Sequence, residues 1–234
     1  MNKPSSGPAT NPKTVTSTSS FKLLLALTLT GMFSGLLVVM VYQYTKPLVE
    51  QNKREAIEKA IFKVIPGATR QRNFLLSVQG LLPAEQKGAT GEAIYAGYDD
   101  KGQLRGVAIE AAAQGYQDTV RILYGYRASC SCITGIKVLK MAETPGLGDR
   151  IASDPAFQKN FIALDASLNT DQQQLAHNIV TVKHGSKTHP WQIDAISGAT
   201  ISSKAVGRML NLRSQAILPL LNRFIDVLRK GIKP

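Results

Sequence analysis

Asp194-Ala195-Ile196-Ser197-Gly198-Ala199-Thr200 is the stretch on which the reading of this chain turns. It packs an acid, small residues and two hydroxyls into a turn that runs straight into the periodic apolar positions Ala205, Val206, Met209 and Leu210, so a helix is expected to begin near Thr200. Gly198 and Ala199 let another molecule approach the backbone, and the free N–H groups of a new helical turn favour a phosphate placed there. The Thr200 hydroxyl sits where such a phosphate would lie, while Ser202 and Ser203 can cap the same turn. The same residues would also make an ordinary strand-turn-helix junction with a Ser/Thr cap, and spacing alone does not separate the two.

Working outward, the 234 residues suit one domain with appendages, and 44% apolar content is enough for a core. The net charge of +12 is unevenly placed. Residues 1–49 carry four lysines and no acid, and residues 204–234 carry seven basic residues against Asp226 alone, so residues 50–203 are nearly neutral. A nucleic-acid binder would put its basic stripe on the folded domain and interleave aromatics, which are only 6% here; no nucleic-acid partner is expected. Basic ends of this kind suit segments at a membrane surface.

Residues 1–20 are rich in Ser, Thr, Pro, Asn and Lys without periodicity, and read as a disordered tail. Leu23 to Thr45 is an uncharged apolar run long enough to span a bilayer, giving a transmembrane helix over 21–45. It exceeds the length of a signal-peptide core and no small-x-small site follows it, so an uncleaved anchor is expected. Gly31 and Gly35 offer a weak close-packing face, and Tyr42 and Tyr44 suit an interfacial belt. Basic residues near the two ends favour a cytoplasmic C-terminal side, although long domains translocate largely regardless of charge.

Ile57, Ala60, Ile61, Val64 and Ile65 recur at helical spacing until Pro66-Gly67, predicting a juxtamembrane helix over 46–66 that leads into a domain over 67–234. Ala93–Tyr98, Leu104–Ala111, Thr119–Tyr124 and Cys132–Leu139 read as strands, the first two flanking an Asp99-Asp100-Lys101-Gly102 hairpin signal. Asp154–Leu164 reads as a helix, Thr181–Lys183 and Trp191–Ile193 as strand ends around a polar loop, and Ile217–Leu228 as a further amphipathic stretch after the helix at Thr200. The predicted class is α+β: a single N-terminal transmembrane helix, then a mixed, mainly antiparallel sheet packed with helices.

Glu143-Thr144-Pro145-Gly146-Leu147-Gly148-Asp149 reads by itself as a surface loop. Cys130 and Cys132 on an extended strand would stand about 6.6 Å apart, at the far edge of disulfide reach, so two small semi-buried residues are expected rather than a bridge. His177, His184 and His189 are not close in sequence to these cysteines, so no metal set is expected. A hydrolase using Ser197 or Ser202 lacks a nucleophile-elbow pattern, and neither a dinucleotide fingerprint nor a phosphate-binding loop is present.

Asp194-x-x-Ser197-Gly198-Ala199-Thr200 resembles the flavinylation signature of the FMN-binding domain family, in which a flavin transferase joins the phosphate of FMN to the final Thr or Ser. Gly135-Ile136-Lys137-Val138-Leu139 followed by Glu143–Asp149 strengthens the match in the same order, and most of the chain resembles the G subunit of the Rnf (Rsx) ion-translocating electron transport complex, a cousin of the C subunit of the sodium-translocating NADH:quinone reductase. The resemblance implies FMN held covalently on Thr200, with Asp194, Ser197, Gly198, Ala199 and Thr200 recognised by the transferase. It also implies that Ser197, Gly198, Ala199, Glu143, Thr144, Leu147 and Gly148 lie against the cofactor, with hydrogen bonds from Glu143 and Thr144 to a ring edge. Other membrane subunits of the complex are the implied partners. The implied location is the bacterial inner membrane, single-pass, with the C-terminal domain in the periplasm, and no independent turnover is expected of such a redox subunit. Gln117-Asp118-Thr119 departs from the family's usual Gly-x-Ile after Gly115-Tyr116. Two alternatives are a membrane-anchored assembly module without its own redox cofactor and a periplasmic flavin-dependent reductase.

Overall fold

A computed structural model describes residues 20–86, 88 and 90–230. The tail read over residues 1–20 lies outside the described residues, except Ser20, which opens the first helix. The chain divides between Asn52 and Lys53 into two compact units.

Helix α1, Ser20–Val64, takes in the stretch expected to cross the membrane over 21–45 and the juxtamembrane stretch expected over 46–66 up to Val64. Pro47 lies inside it and forfeits a single backbone donor. The part before Asn52 is long and apolar enough to cross a membrane, and its side chains are exposed. Thr28 and Thr30 donate their hydroxyls back to the carbonyls of Leu24 and Ala26, at 2.8 and 2.7 Å, so neither hydroxyl needs a partner outside the helix.

The second unit is built on an antiparallel sheet. Its strands are β1 (Arg70–Ser77), β2 (Gly80–Pro83), β3 (Glu92–Tyr98), β4 (Leu104–Gln114), β5 (Thr119–Arg127), β6 (Cys132–Lys140) and β7 (Leu164–Asp165), in the order β2-β1-β3-β4-β5-β6-β7. The four strands expected from sequence are β3 to β6, with β4 and β5 extending three residues further. A 3-10 turn at Gly148–Ala152 and helix α2 (Pro155–Lys159) follow β6. Asp154 starts α2 as expected, accepting from the N–H groups of Ala156 and Phe157, but the helix ends at Lys159 and the chain turns into β7 instead of continuing to Leu164.

Strands β8 (Val180–Val182) and β9 (Gln192–Asp194) pair in parallel, and β9 leads into the last helix, α3 (Thr200–Lys230). Helix α3 is also continuous, running through Pro219 where two segments were expected. Its buried stripe Leu210, Ser214, Ile217, Leu218, Leu221, Ile225 and Leu228 keeps its facing across the proline, so packing outweighs one lost donor.

Alternation within β5 shows how the layers form. Ile122, Tyr124 and Tyr126 face α3 and join Val206, Met209 and Leu221 in the main core, whereas Leu123 faces the other way and packs with Ile61, Val64 and Ile65 at the end of α1. Helices therefore cover both faces. The end of α1 sits in a trough made by Gly97, Gly106, Gly125 and Gly135 on four neighbouring strands. A Cβ on Gly125 would stand 2.0 Å from the Val64 carbonyl oxygen, and that oxygen accepts from Thr134 Oγ1 at 2.6 Å.

One expectation is overturned at the β5–β6 turn, where Cys130 and Cys132 form a disulfide. The two residues do not lie on one extended strand: Ser131 has φ 50°, and this left-handed step brings the Cα atoms to 5.2 Å.

Candidate functional site

The turn before α3 and the loop after β6 lie far apart in sequence and come together in a cleft of about 520 Å³. Its walls are Tyr116 from the β4–β5 turn, Glu143, Thr144, Leu147 and Gly148 from the loop, and Gly198, Ala199, Thr200, Ile201 and Ser202 around the start of α3. Tyr116, Leu147 and Ile201 expose apolar surface at this cleft, which suits a flat, partly apolar ligand.

Glu143 fastens these walls. It is buried, with 6% of its surface exposed, and its carboxylate accepts from the backbone N–H of Tyr116 at 2.9 Å, the N–H of Gln117 at 3.2 Å, and the Ser202 hydroxyl. Gln117 Nε2 donates to Thr144 Oγ1 at 2.9 Å, tying the same turn to the loop a second time. Glycine is required close by. A Cβ on Gly148 would stand 2.6 Å from both Glu143 Oε2 and Ser202 Oγ, and one on Gly115 would stand 2.4 Å from Glu143 Oε1. The carboxylate expected to reach a ligand is thus already engaged by protein donors, and its structural part is to hold three segments in register.

The hydroxyls of the second motif are divided between structure and surface. Ser203 Oγ donates to the Ala199 carbonyl at 2.9 Å and accepts from the Ile196 N–H at 3.1 Å, and Ser202 Oγ donates to Glu143; both residues are buried. Thr200 is exposed and opens into the cleft at the first residue of α3. The first N–H groups of such a helix have no intrahelical acceptor and carry its positive dipole end. Ser197 is exposed too but is not among the residues lining the cleft. Gly198 adopts φ 81°, a left-handed step that a side chain would resist.

Asp194 ends β9, outside the cleft lining. Its Oδ2 lies 3.6 Å from His184 Nδ1, and its buried Oδ1 has no hydrogen-bond partner. Asn160 pins the same strand end, accepting from the Asp194 N–H at 3.0 Å and donating to its carbonyl at 3.2 Å, and it also accepts from Lys187 Nζ at 3.3 Å. Burial pulls the Lys187 ammonium below the usual lysine range, and Asp194 partly offsets that.

Sequence reasoning missed Tyr116, Ile201 and Ser202 as cleft residues; their adjacency to Gly115 and Thr200 was the available signal. Among the described residues no cluster of His, Cys, Asp and Glu suits a metal. A second cleft of about 550 Å³ between β3–β4 and α3 holds none of the motif residues, and the ion pairs Arg213–Glu92 and Arg121–Glu110 occupy its wall.

The FMN-binding domain family matches residues 115–212, a span containing every wall of the first cleft. A Methanosarcina acetivorans protein described as the G subunit of an ion-translocating oxidoreductase complex is 30% identical over 188 residues, covering 79% of this chain and 87% of its own length. An Acetobacterium woodii protein described as the G subunit of a Na(+)-translocating ferredoxin:NAD(+) oxidoreductase complex is 32% identical over 123 residues, covering 52% of this chain and 53% of its own. The fold is also that of NqrC from Shewanella oneidensis, whose crystal structure aligns with 73% of this chain and 87% of its own at a TM-score of 0.51 and 18% identity. The chain therefore belongs to the family of G subunits of ion-translocating oxidoreductase complexes, and carries that family's FMN-binding domain.

Proposed function

We propose that this chain is a membrane-anchored electron-transfer subunit carrying FMN in phosphoester linkage to Thr200, within an ion-translocating ferredoxin:NAD oxidoreductase complex. The observation that carries the reading is the exposed Thr200 hydroxyl at the first residue of a 31-residue helix, inside the cleft that the Glu143–Gly148 loop completes. The residues fit the group. The volume of about 520 Å³ is within the range of cofactor sites, the helix start suits a phosphate, and Tyr116, Leu147 and Ile201 suit an aromatic ring system.

When bound, the flavin supplies the electron-carrying chemistry. The chain's own residues hold and place it. Thr200 offers Oγ1 as the acceptor of the phosphoryl group, the first N–H groups of α3 face its charge, and Gly198 leaves the approach open. Thr144 and Gly148 line the cleft and would lie against the bound group, and Glu143 keeps Tyr116 and the loop at fixed spacing. In this reading Asp194 and Ser197, which lie outside the cleft lining, serve with Gly198 and Ala199 as recognition elements for a flavin transferase during maturation. The apolar half of α1 anchors the chain in the inner membrane beside the other subunits, with the second unit on the periplasmic side as the resemblance to the Rnf branch implies.

The test is intact mass with in-gel flavin fluorescence after co-expression with a flavin transferase. Wild type is expected to gain about one FMN less one water, Thr200→Ser to retain the gain, and Thr200→Ala to lose it while melting like wild type. A colourless wild type, or a gain that survives Thr200→Ala, refutes the assignment and leaves an anchored assembly module or another attachment residue.

A further inference from the structure

We propose that the Cys130–Cys132 disulfide is a thiol-disulfide exchange site, opened by an external protein of the dithiol oxidoreductase class that attacks Cys130 Sγ. The inference does not depend on flavin attachment. It rests on the asymmetry of the pair and on how little the bond is needed to hold the turn.

Cys130 is exposed at the tip of the β5–β6 turn, whereas Cys132 is 6% exposed, starts β6 and pairs with Asp165 of β7. Only one sulfur is open to attack, and the other is placed as the leaving group. The bridge spans a sequence separation of 2, so the chain entropy it removes from the unfolded state is near the minimum any disulfide can remove. The strands it joins are already paired by backbone, from Arg127↔Cys132 to Arg121↔Lys140. In the bridged form Cys130 Sγ lies 3.5 Å from the Arg127 carbonyl oxygen, so a Cys130 thiol in the same place would have an acceptor within reach.

The cleft cannot be the direct electron source. Tyr116 and the Glu143–Gly148 loop lie beyond the far end of the same hairpin, and the nine residues of β6 span about 30 Å. The donor in this proposal is a second protein with two thiols. Its thiolate forms a bond to Cys130 Sγ as the Cys130–Cys132 bond breaks, and Cys132 leaves as a thiolate that takes up a proton. The donor's second thiol then attacks the donor sulfur of the mixed disulfide and releases Cys130, which is protonated in turn. The donor is oxidised by two electrons and this chain is reduced by two.

The experiment uses the full chain in detergent with a thioredoxin whose resolving cysteine is replaced by serine. The expected result is a covalent adduct that peptide mass mapping assigns to Cys130, absent from Cys130→Ser. With intact thioredoxin and its reductase, reduction of the native chain, followed by alkylation and mass, is expected at least ten times faster than with the same concentration of dithiothreitol. Two free thiols in the chain purified without reductant, an adduct mapping to Cys132, or a bond that thioredoxin opens only after denaturation each overturn the proposal. Cys132→Ser supplies a second check, because its lone Cys130 thiol must alkylate at the rate of an exposed cysteine; protection of that thiol also overturns it.

Discussion

Replacing Glu143 with alanine removes the acceptor shared by Tyr116 N, Gln117 N and Ser202 Oγ. Tyr116 and Gln117 are exposed, so water replaces much of what their amides lose, but Ser202 is 2% exposed and is left with an unpaired hydroxyl. Hydrogen bonds to a charged acceptor contribute about 1.5–3 kcal/mol each, and a buried orphan costs about 1–3 kcal/mol, so truncation is expected to cost about 3–4 kcal/mol. For a chain of this size that lowers the melting temperature by roughly 10 °C. Glu143→Gln keeps an acceptor for the two amides and loses only the charge, at a cost of about 1–2 kcal/mol. Gly148→Ala presses a methyl group to within 2.6 Å of Glu143 Oε2 and of Ser202 Oγ, at a cost of about 1–3 kcal/mol from overpacking. In the Glu143→Ala background the contact with Oε2 is gone and the Ser202 hydroxyl, no longer held by the carboxylate, can turn away, so the methyl group is relieved in part although the Cβ of residue 143 stays 2.9 Å away. The double mutant should be about 1–2 kcal/mol more stable than the sum of the single changes. Thermal unfolding of the detergent-solubilised chain by circular dichroism measures all four proteins. Additive losses, or a Glu143→Ala protein melting within about 2 °C of wild type, would refute the fastening role assigned to this carboxylate.

Three further outcomes are expected. Thr134→Val removes the donor to the Val64 carbonyl and should cost about 1 kcal/mol, whereas Gly125→Ala, whose Cβ would meet that oxygen at 2.0 Å, should prevent the end of α1 from seating and abolish recovery of folded protein. The Phe157 N–H, and then Arg150, hold the Asp154 carboxyl below its usual range, so its contribution is complete above the unfolded value of about 3.9 and is lost as pH falls through the lower folded value. Asp154→Ala should therefore melt below wild type at neutral pH by about 1 kcal/mol of stability, and the two melting curves should converge in acid. Reduction of the disulfide should leave the emission of Trp191, the only tryptophan, unchanged, because the backbone pairing of β5 with β6 and the bond from Ala166 N to Ser131 O hold the turn and β7 without it; a changed emission on complete reduction would show that the bond is needed to hold them.

Where the sequence is legible, the signals are local. The β3–β4 hairpin announces itself through Asp99-Asp100-Lys101-Gly102, and Asp99 Oδ1 accepts from the N–H groups of Lys101 and Gln103 as that signal implies. Strands β1 and β2 are not legible because Arg70, Gln71, Arg72 and Asn73 precede the apolar alternation, which is limited to Phe74 and Leu76; pairing with β3 makes the first of them a strand, and the nearest partner across that pairing is 16 residues away, at Leu76↔Glu92. The glycine trough is hidden for the same reason. Each of its glycines is ordinary within its own strand, and only the register that aligns Gly97 with Gly106 and Gly125 with Gly135 gives them a common purpose. The disulfide escapes a reading of spacing because the extended geometry assumed for Cys130 and Cys132 fails at the single left-handed residue between them.

Glu143 shows why a motif can be recognised before its chemistry is understood. Read along the chain, an exposed-looking acid beside Thr144-Pro145-Gly146 is a candidate ligand for something outside the protein. Its partners within the protein are 26, 27 and 59 residues away, on two other segments, and their three donors engage both carboxylate oxygens. That use has a consequence for the neighbouring motif. Four hydroxyls lie close together at Ser197, Thr200, Ser202 and Ser203, and a phosphoryl acceptor must be both free and open to the cleft. Glu143 withdraws Ser202, and the Ile196–Ala199 turn withdraws Ser203. Of the two exposed residues, Ser197 and Thr200, only Thr200 borders the cleft, so among these four it is the one the proposed attachment leaves open.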